Sequence, residues 1–310
     1  MRVVFLGTPD FAVPSLKALA AHHQVKAVYT QPDRPKGRGN QLAASPVKAA
    51  ATELGIEVLQ PERIRRPENL APLAAWDAEL FVVVGYGQII PQSIIDLPRH
   101  GILNVHASLL PKYRGAAPIQ WAIANGETQT GVTIMQIDAG LDTGDMLLKE
   151  SLPISPTETA AELSVRLSLM GAELLLEAMR LIEAGTVSRE KQRAEEATLA
   201  PILKKEDGLV DWRLSAQEVY NRWRGFSPWP GAYTYFRGRQ MSIARAQVAK
   251  RASGTAGRLW AEKRQVFVSC GGTTTLELLE VQLAGRKRLS AGGFLNGYQL
   301  IENEVLGEKP

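Results

Sequence analysis

The first half of the chain alternates short, almost uninterrupted apolar runs with longer stretches of helical character. RVVFLG precedes FAVPSLKALAAH, VKAVYT precedes a loop and SPVKAAATELG, and EVLQP, LFVVVG and ILNVHA follow. A strand that is apolar at every position, rather than every second one, must be covered on both faces, as in a parallel sheet flanked by helices. The pattern predicts an open, doubly wound, mostly parallel α/β sheet, which places ligands at the carboxyl ends of its strands. VTIMQI and DMLLKESLPI read as the last strands, before an amphipathic helix from Thr157 to Glu183.

From Ser188 to Lys205 the sequence turns charged and irregular, as a linker does. This divides the chain into a domain over residues 1–188, a linker over 189–205 and a second domain over 206–310. In the last, SAQEVYNRWRGF reads as a short helix, and GAYTYF, MSIARAQV, RLWA, QVFVSC and TTTLELLEVQL read as strands. Short strands with RGRQ and GG at their corners predict a small β-barrel of the oligonucleotide-binding type.

A length of 310 residues at 45% hydrophobic content is enough for two cores. Cys270 is the single cysteine and cannot form an internal disulfide, which fits a reducing, cytoplasmic setting. The opening MRVVFLG is too short for a secretory core, and no apolar run approaches the roughly 18 residues of a membrane span. Neither export nor insertion is expected. Charge is unevenly spread: residues 206–310 hold 15 Lys or Arg against 10 Asp or Glu, whereas residues 1–205 hold 21 against 22. The basic half suits a polyanionic partner, although a merely solvated surface would carry the same count.

Chemistry concentrates in NVHASLLPKYRGAAP. Successive strand residues point to opposite faces, so Asn104 and His106 project to one side, where an amide donor and an imidazole converge. The plainer reading is that both satisfy backbone groups at a strand end. Downstream, QIDAGLDTGD offers Asp138, Asp142 and Asp145 as carboxylates able to orient the imidazole, or as ordinary Asx turns. The spacing is not that of a calcium loop and the histidines lack zinc-type spacing, so no metal is expected. No G-x-S-x-G elbow is present and Cys270 lies far along the chain, so in an acyl transfer the attacking group would belong to the substrate. GYGQII lacks the third glycine of a dinucleotide fingerprint.

Two basic segments remain. QPDRPKGRGNQ carries Arg34, Lys36 and Arg38 among Pro and Gly and reads as an exposed, mobile loop, suited either to phosphate or to solvent. NRWRGFSPWPGAYTYFRGR interleaves Arg222, Arg224, Arg237 and Arg239 with Trp223, Trp229, Tyr233 and Tyr235. The rings read as core, leaving the arginines as the stronger pointer to phosphate.

Taken together, NVHASLLPKYRGAAPIQWAI, GVTIMQIDAGLDTGDML and VVVGYGQIIP resemble the formyltransferases that use 10-formyltetrahydrofolate. FLGTPDFAVPSL, TQPDRPKGRG and WRGFSPWPGAYT are most similar to the branch of that family acting on methionyl initiator tRNA, and the likeness runs over nearly the whole chain. The resemblance implies formyl transfer from the folate N10 to the α-amino group of methionine on initiator tRNA, supplying formylmethionyl-tRNA for translation initiation. It implies catalytic roles for Asn104, His106 and Asp142. It also implies folate contacts from Ser108, Leu109, Leu110 and Pro111, with Tyr86 and Ile89 lining the pterin pocket. The loop with Arg34, Lys36 and above all Arg38 would meet the tRNA acceptor end, and Lys204 and Lys205 at the linker are further candidates for phosphate. A monomer without metal is expected. The rivals are formyl transfer to a small amine, which needs no basic second domain, and a non-catalytic RNA binder, which needs no Asn–His–Asp set.

Overall fold

The computed structural model describes residues 1–36, 41–252 and 254–308. The chain forms two compact units, one of Met1–Pro118, Gln129–Pro153 and Leu163–Pro201, the other of Ile119–Thr128, Ile154–Glu162 and Ile202–Pro310. In chain order the elements begin with β1 (Arg2–Gly7), α1 (Val13–His22), β2 (Gln24–Tyr29), β3 (Arg34–Lys36) and β4 (Gln41–Ala43). There follow α2 (Pro46–Glu53), β5 (Val58–Leu59), α3 (Leu70–Ala75), β6 (Leu80–Val84), α4 (Gln92–Ile95) and β7 (Ile102–His106). Next come α5 (Pro118–Ala124), β8 (Gln129–Gln136), β9 (Met146–Pro153) and α6 (Ala160–Glu183).

The first unit is built on a seven-stranded sheet of order β5-β2-β1-β6-β7-β8-β9. β5, β2, β1, β6 and β7 run parallel, and β8 and β9 complete the sheet antiparallel. All five residues of β6 are buried, as expected of a strand covered on both faces. α2 starts where Ser45 accepts the Lys48 N–H through its side chain and Pro46 supplies a fixed φ at the first turn. α6 lies so close to the sheet that a Cβ on Gly171 would stand 2.8 Å from Val105 Cγ1. Val105 therefore faces α6, and by strand alternation its neighbours Asn104 and His106 face the other side.

Two expectations change. The basic stretch from Arg34 is not irregular throughout: β3 and β4 pair antiparallel as a ribbon, with Arg34 opposite Ala43 and Pro35 opposite Leu42. A two-stranded ribbon is all edge, so the missing N–H of Pro35 interrupts no interior ladder. The segment read as a linker is instead folded along the first unit as far as Pro201, with Glu190 bridged to Met146 and Leu199 to Arg114. Its charged side chains hid this, because the bonds that hold it are made largely by backbone and by uncharged amide and hydroxyl groups.

The second unit continues with α7 (Ala216–Gly225), β10 (Tyr233–Phe236), β11 (Arg239–Ala249), β12 (Leu259–Glu262), β13 (Gln265–Cys270), β14 (Thr274–Leu283), β15 (Leu289–Ser290) and α8 (Ala291–Gly297). Its antiparallel sheet has the order β10-β11-β14-β13-β12, with β15 also on β14 and register shifts bending β11 between Ile243 and Ala246. α7 opens on a capping box in which Ser215 and Glu218 satisfy each other's backbone N–H. Trp212, Phe236, Phe294, Val268 and Leu278 form part of the core, and the buried Trp212 indole donates to Thr234 Oγ1 at 3.0 Å. Among the described residues no helix is long and apolar enough to cross a membrane.

The arginines of the aromatic-rich segment are not all available to an anion. Arg224 is 4% exposed and donates to the carbonyls of Ser155 and Glu158 and to Asn221 Oδ1. Arg237 forks onto Glu304 and the Gln299 carbonyl. Arg224 is thus committed to buried oxygens, whereas Arg237 keeps an exposed side chain while paired with Glu304. The rings divide: Tyr233 is buried, whereas Trp229 is exposed.

Candidate active site

β7 lies between β6, its parallel neighbour, and β8, its antiparallel one, with Asn104 opposite Val83 and Met135 and His106 opposite Thr133. Because β8 runs antiparallel, the loop that leaves it starts beside Ile102 and Leu103, at the amino end of β7, and has to double back to reach Asn104 and His106. That loop returns Asp142 to β7. Asp142 Oδ2 stands 3.7 Å from His106 Nδ1, and Asn104 Nδ2 donates to Asp142 Oδ1 at 3.5 Å.

The second imidazole nitrogen fixes the tautomer. His106 Nε2 lies 2.9 Å from the Tyr113 carbonyl oxygen, which can only accept, so Nε2 carries a proton. Nδ1 is thereby directed at the Asp142 carboxylate: as a neutral ring it presents a lone pair, and as a cation it is balanced by the carboxylate. The ring is 5% exposed, so water screens this interaction weakly. Asp142 is held in turn by the Gly115 N–H, 2.8 Å from Oδ2, at a backbone φ of 51°. Gly115 has φ 121°, and a Cβ there would meet the Ala200 carbonyl oxygen at 2.6 Å, so only glycine brings that N–H into place. The Asn104 bond is at the long end of the hydrogen-bond range, which leaves its amide free to turn toward a stronger acceptor.

Of the three downstream carboxylates, Asp142 alone is brought to His106. Asp138 instead closes its own turn, accepting from the Gly140 N–H and the Thr143 hydroxyl, and Asp145 contributes its backbone carbonyl to Gln136. Ser108 is fully buried and its hydroxyl donates to the Lys112 carbonyl. Leu110 and Pro111 are buried and Leu109 is half-buried. Thr133 pins this segment, donating to the Ser108 carbonyl at 2.7 Å and accepting the Leu110 N–H at 3.1 Å.

Tyr86 is 1% exposed within the core of the first unit, where burial pushes its phenol up and leaves the hydroxyl unpartnered. Its backbone carbonyl accepts from Thr8 and Gln31, while the Ile89 side chain is 76% exposed. Arg34 is exposed on β3, Lys36 falls at the end of that strand, and Arg38 lies outside the described residues. Asp33, beside the ribbon, takes Lys48 Nζ and Gln60 Nε2, each at 2.7 Å. Lys204 and Lys205 are exposed in the second unit.

Sequence reading missed Tyr113, Gly115, Thr133 and Gln192. The motif YRG hinted at the first two, because a glycine there permits a sharp reversal, whereas Gln192 sits in a stretch without periodicity. Among the described residues no group of three His, Cys, Asp or Glu side chains is placed to hold a metal ion. The arrangement combines a weakly held amide donor, an imidazole of fixed tautomer and an opposed carboxylate. It suits transfer of an acyl-type group to a nucleophile that the acceptor supplies.

Residues 1–179 match the family described as formyl transferase, and residues 202–299 its C-terminal domain. The chain is 58% identical over 309 residues to a methionyl-tRNA formyltransferase of Solibacter usitatus, covering 99% of both chains. It is 51% identical over 308 residues to one of Geobacter metallireducens, again covering 99% of both. In fold it is similar to a sugar 3N-formyl transferase solved with dTDP and 5-N-formyl-THF, at a TM-score of 0.68 and 18% identity, covering 93% of this chain and 99% of the other.

Proposed function

The chain belongs to the formyl transferase family, and on that premise we propose that it moves the formyl group of 10-formyltetrahydrofolate onto the α-amino group of methionyl initiator tRNA. The observation that carries this reading is the meeting of Asn104, His106 and Asp142 at one strand end, in a chain so alike over its whole length to methionyl-tRNA formyltransferases. A sugar amine as acceptor has less support, because the sugar-modifying relative shares the fold at only 18% identity.

In the proposed step the neutral α-amine adds to the formyl carbon, and the carbonyl oxygen becomes an alkoxide that takes an N–H from Asn104. One such donor contributes about 2.7 to 4 kcal/mol. The new ammonium passes a proton to His106 Nδ1, and Asp142 balances the imidazolium, while Nε2–H stays on the Tyr113 carbonyl. The bond from carbon to N10 then breaks and N10 takes the proton from Nδ1, which restores the neutral ring. The amine, with a pKa of about 8, is already partly neutral, so positioning matters more than activation.

Ser108 to Pro111 and the turn around Tyr86 and Ile89 form the folate side of the site in this reading. Arg34, Lys36, Arg38, Lys204 and Lys205 meet tRNA phosphate. The protein works as a cytoplasmic monomer. A formylation assay with methionine on initiator and on elongator tRNA tests the reading. Transfer to the initiator species is expected, and transfer to free amino sugars with none to tRNA would overturn it.

A further inference from the structure

We propose that Gln192 is a positioning residue for this transfer, acting through the loop that carries Asp142; the inference rests on the function proposed above. Gln192 lies in a strap from Glu190 to Ala200 that follows α6 and runs along the first unit. Its Nε2 donates to the carbonyl oxygens of Asp142 at 2.8 Å and Gly144 at 2.9 Å. Its Oε1 accepts from Arg114 Nε at 3.0 Å and Nη2 at 2.8 Å. Both donor hydrogens and the acceptor of one amide are thus used, and all of them are spent on the two segments that flank His106.

The strap controls both sides of the imidazole. On the Nδ1 side, Gln192 holds the backbone of Asp142, whose φ of 51° lies in the left-handed region that a non-glycine residue leaves readily once its restraints are removed. On the Nε2 side, Thr198 Oγ1 accepts the Tyr113 N–H at 2.9 Å, the Thr198 carbonyl accepts the Arg114 N–H at 2.8 Å, and the Arg114 carbonyl accepts the Ala200 N–H at 2.7 Å. Glu190 exchanges two backbone bonds with Met146, at 2.8 and 2.9 Å, and so anchors the start of the strap beyond the Asp142 loop. Arg114 joins the two sides, because its backbone is held by Thr198 and Ala200 and its guanidinium by Gln192. The hydrogen bonds of Gln192 reach Asp142, Gly144 and Arg114, so its effect on the imidazole passes through the placement of Asp142.

The test compares wild type with Gln192→Met, which keeps the length of the side chain and removes every bond of the amide. Gln192→Glu is the second variant: it can still accept from Arg114 but loses both donated bonds. Formyl transfer to methionyl initiator tRNA is measured with each substrate varied, in the native and the Asp142→Asn backgrounds. Both variants are expected to lower kcat about 10- to 100-fold, as a displacement near 1 Å does, with each KM within about twofold of wild type. In the Asp142→Asn background the same changes are expected to cost less than about twofold, since a residue acting only through Asp142 has nothing left to lose. A loss of equal size in both backgrounds, or an unchanged kcat in the native one, overturns the proposal. A second readout needs no substrate. The ring nitrogen resonances of His106 are expected to move in Gln192→Glu and Gln192→Met while those of His22, His23 and His100 stay, and an unmoved His106 counts against the proposal. If Gln192→Met does not fold, Gln192→Glu decides both readouts. Wild type that formylates no tRNA would defeat the proposed acceptor and leave the His106 resonances to judge the positioning role.

Discussion

Thr133 shows how one side chain can fix a loop that the sequence presents only as a motif. It is fully buried opposite His106, and its hydroxyl both donates to the Ser108 carbonyl and accepts the Leu110 N–H. Thr133→Val keeps the shape and strands two buried backbone groups, so urea denaturation is expected to give a loss of about 1 to 3 kcal/mol, with a raised KM for the folate. At this scale the sequence was informative where geometry is set by a short period. The spacing of Asn104 and His106 was enough to place both on one face, whereas spacing within QIDAGLDTGD did not separate Asp142 from Asp138 and Asp145, and only the family resemblance singled it out. That choice depends on the Gly115 N–H and on a left-handed backbone at Asp142, both products of tertiary contacts.

Among the elements, the strands of the first unit were legible because a fully buried strand leaves a continuous apolar run. The short helices α3 and α4 and the strap after α6 left no such trace, being too short or too polar to show periodicity. The corner after β10 is closed by a clasp that pattern reading assigned to phosphate. Glu304 is 6% exposed, and the Arg237 guanidinium that forks onto it holds its carboxyl below the usual glutamate range. A lowered carboxyl stabilises the fold above its ordinary value of 4.5, and the stabilisation is lost as pH falls through the folded value. Glu304→Gln is therefore expected to destabilise the protein by about 1 to 3 kcal/mol at neutral pH. Thermal unfolding followed from neutral pH to well below 4.5 is expected to bring variant and wild type together, and a gap that persists throughout the acid range would contradict the clasp.

For the whole molecule, the charge asymmetry between residues 1–205 and 206–310 is a sequence property that the fold partly redirects, since Arg224 is buried on carbonyl oxygens and Arg237, at the surface, is neutralised by Glu304. The remaining exposed cations still favour a polyanion. Binding of methionyl initiator tRNA is expected to weaken steeply between about 50 and 200 mM salt, and replacing Lys204 and Lys205 together with alanine to reduce the logarithmic slope by about one to two. Filter binding across a salt series measures both, and a slope unchanged by the replacement would remove those lysines from the interface. The central claim is that Asn104 and His106 act on one migrating formyl group. Single-turnover transfer of labelled formyl from 10-formyltetrahydrofolate to methionyl initiator tRNA tests it most directly, comparing wild type, Asn104→Ala, His106→Ala and the double variant. Each single change is expected to slow transfer by about 100-fold or more, and the double variant to be little slower than the poorer single one, because groups that act as a unit do not lose independently. Either single variant transferring at the wild-type rate would contradict the account.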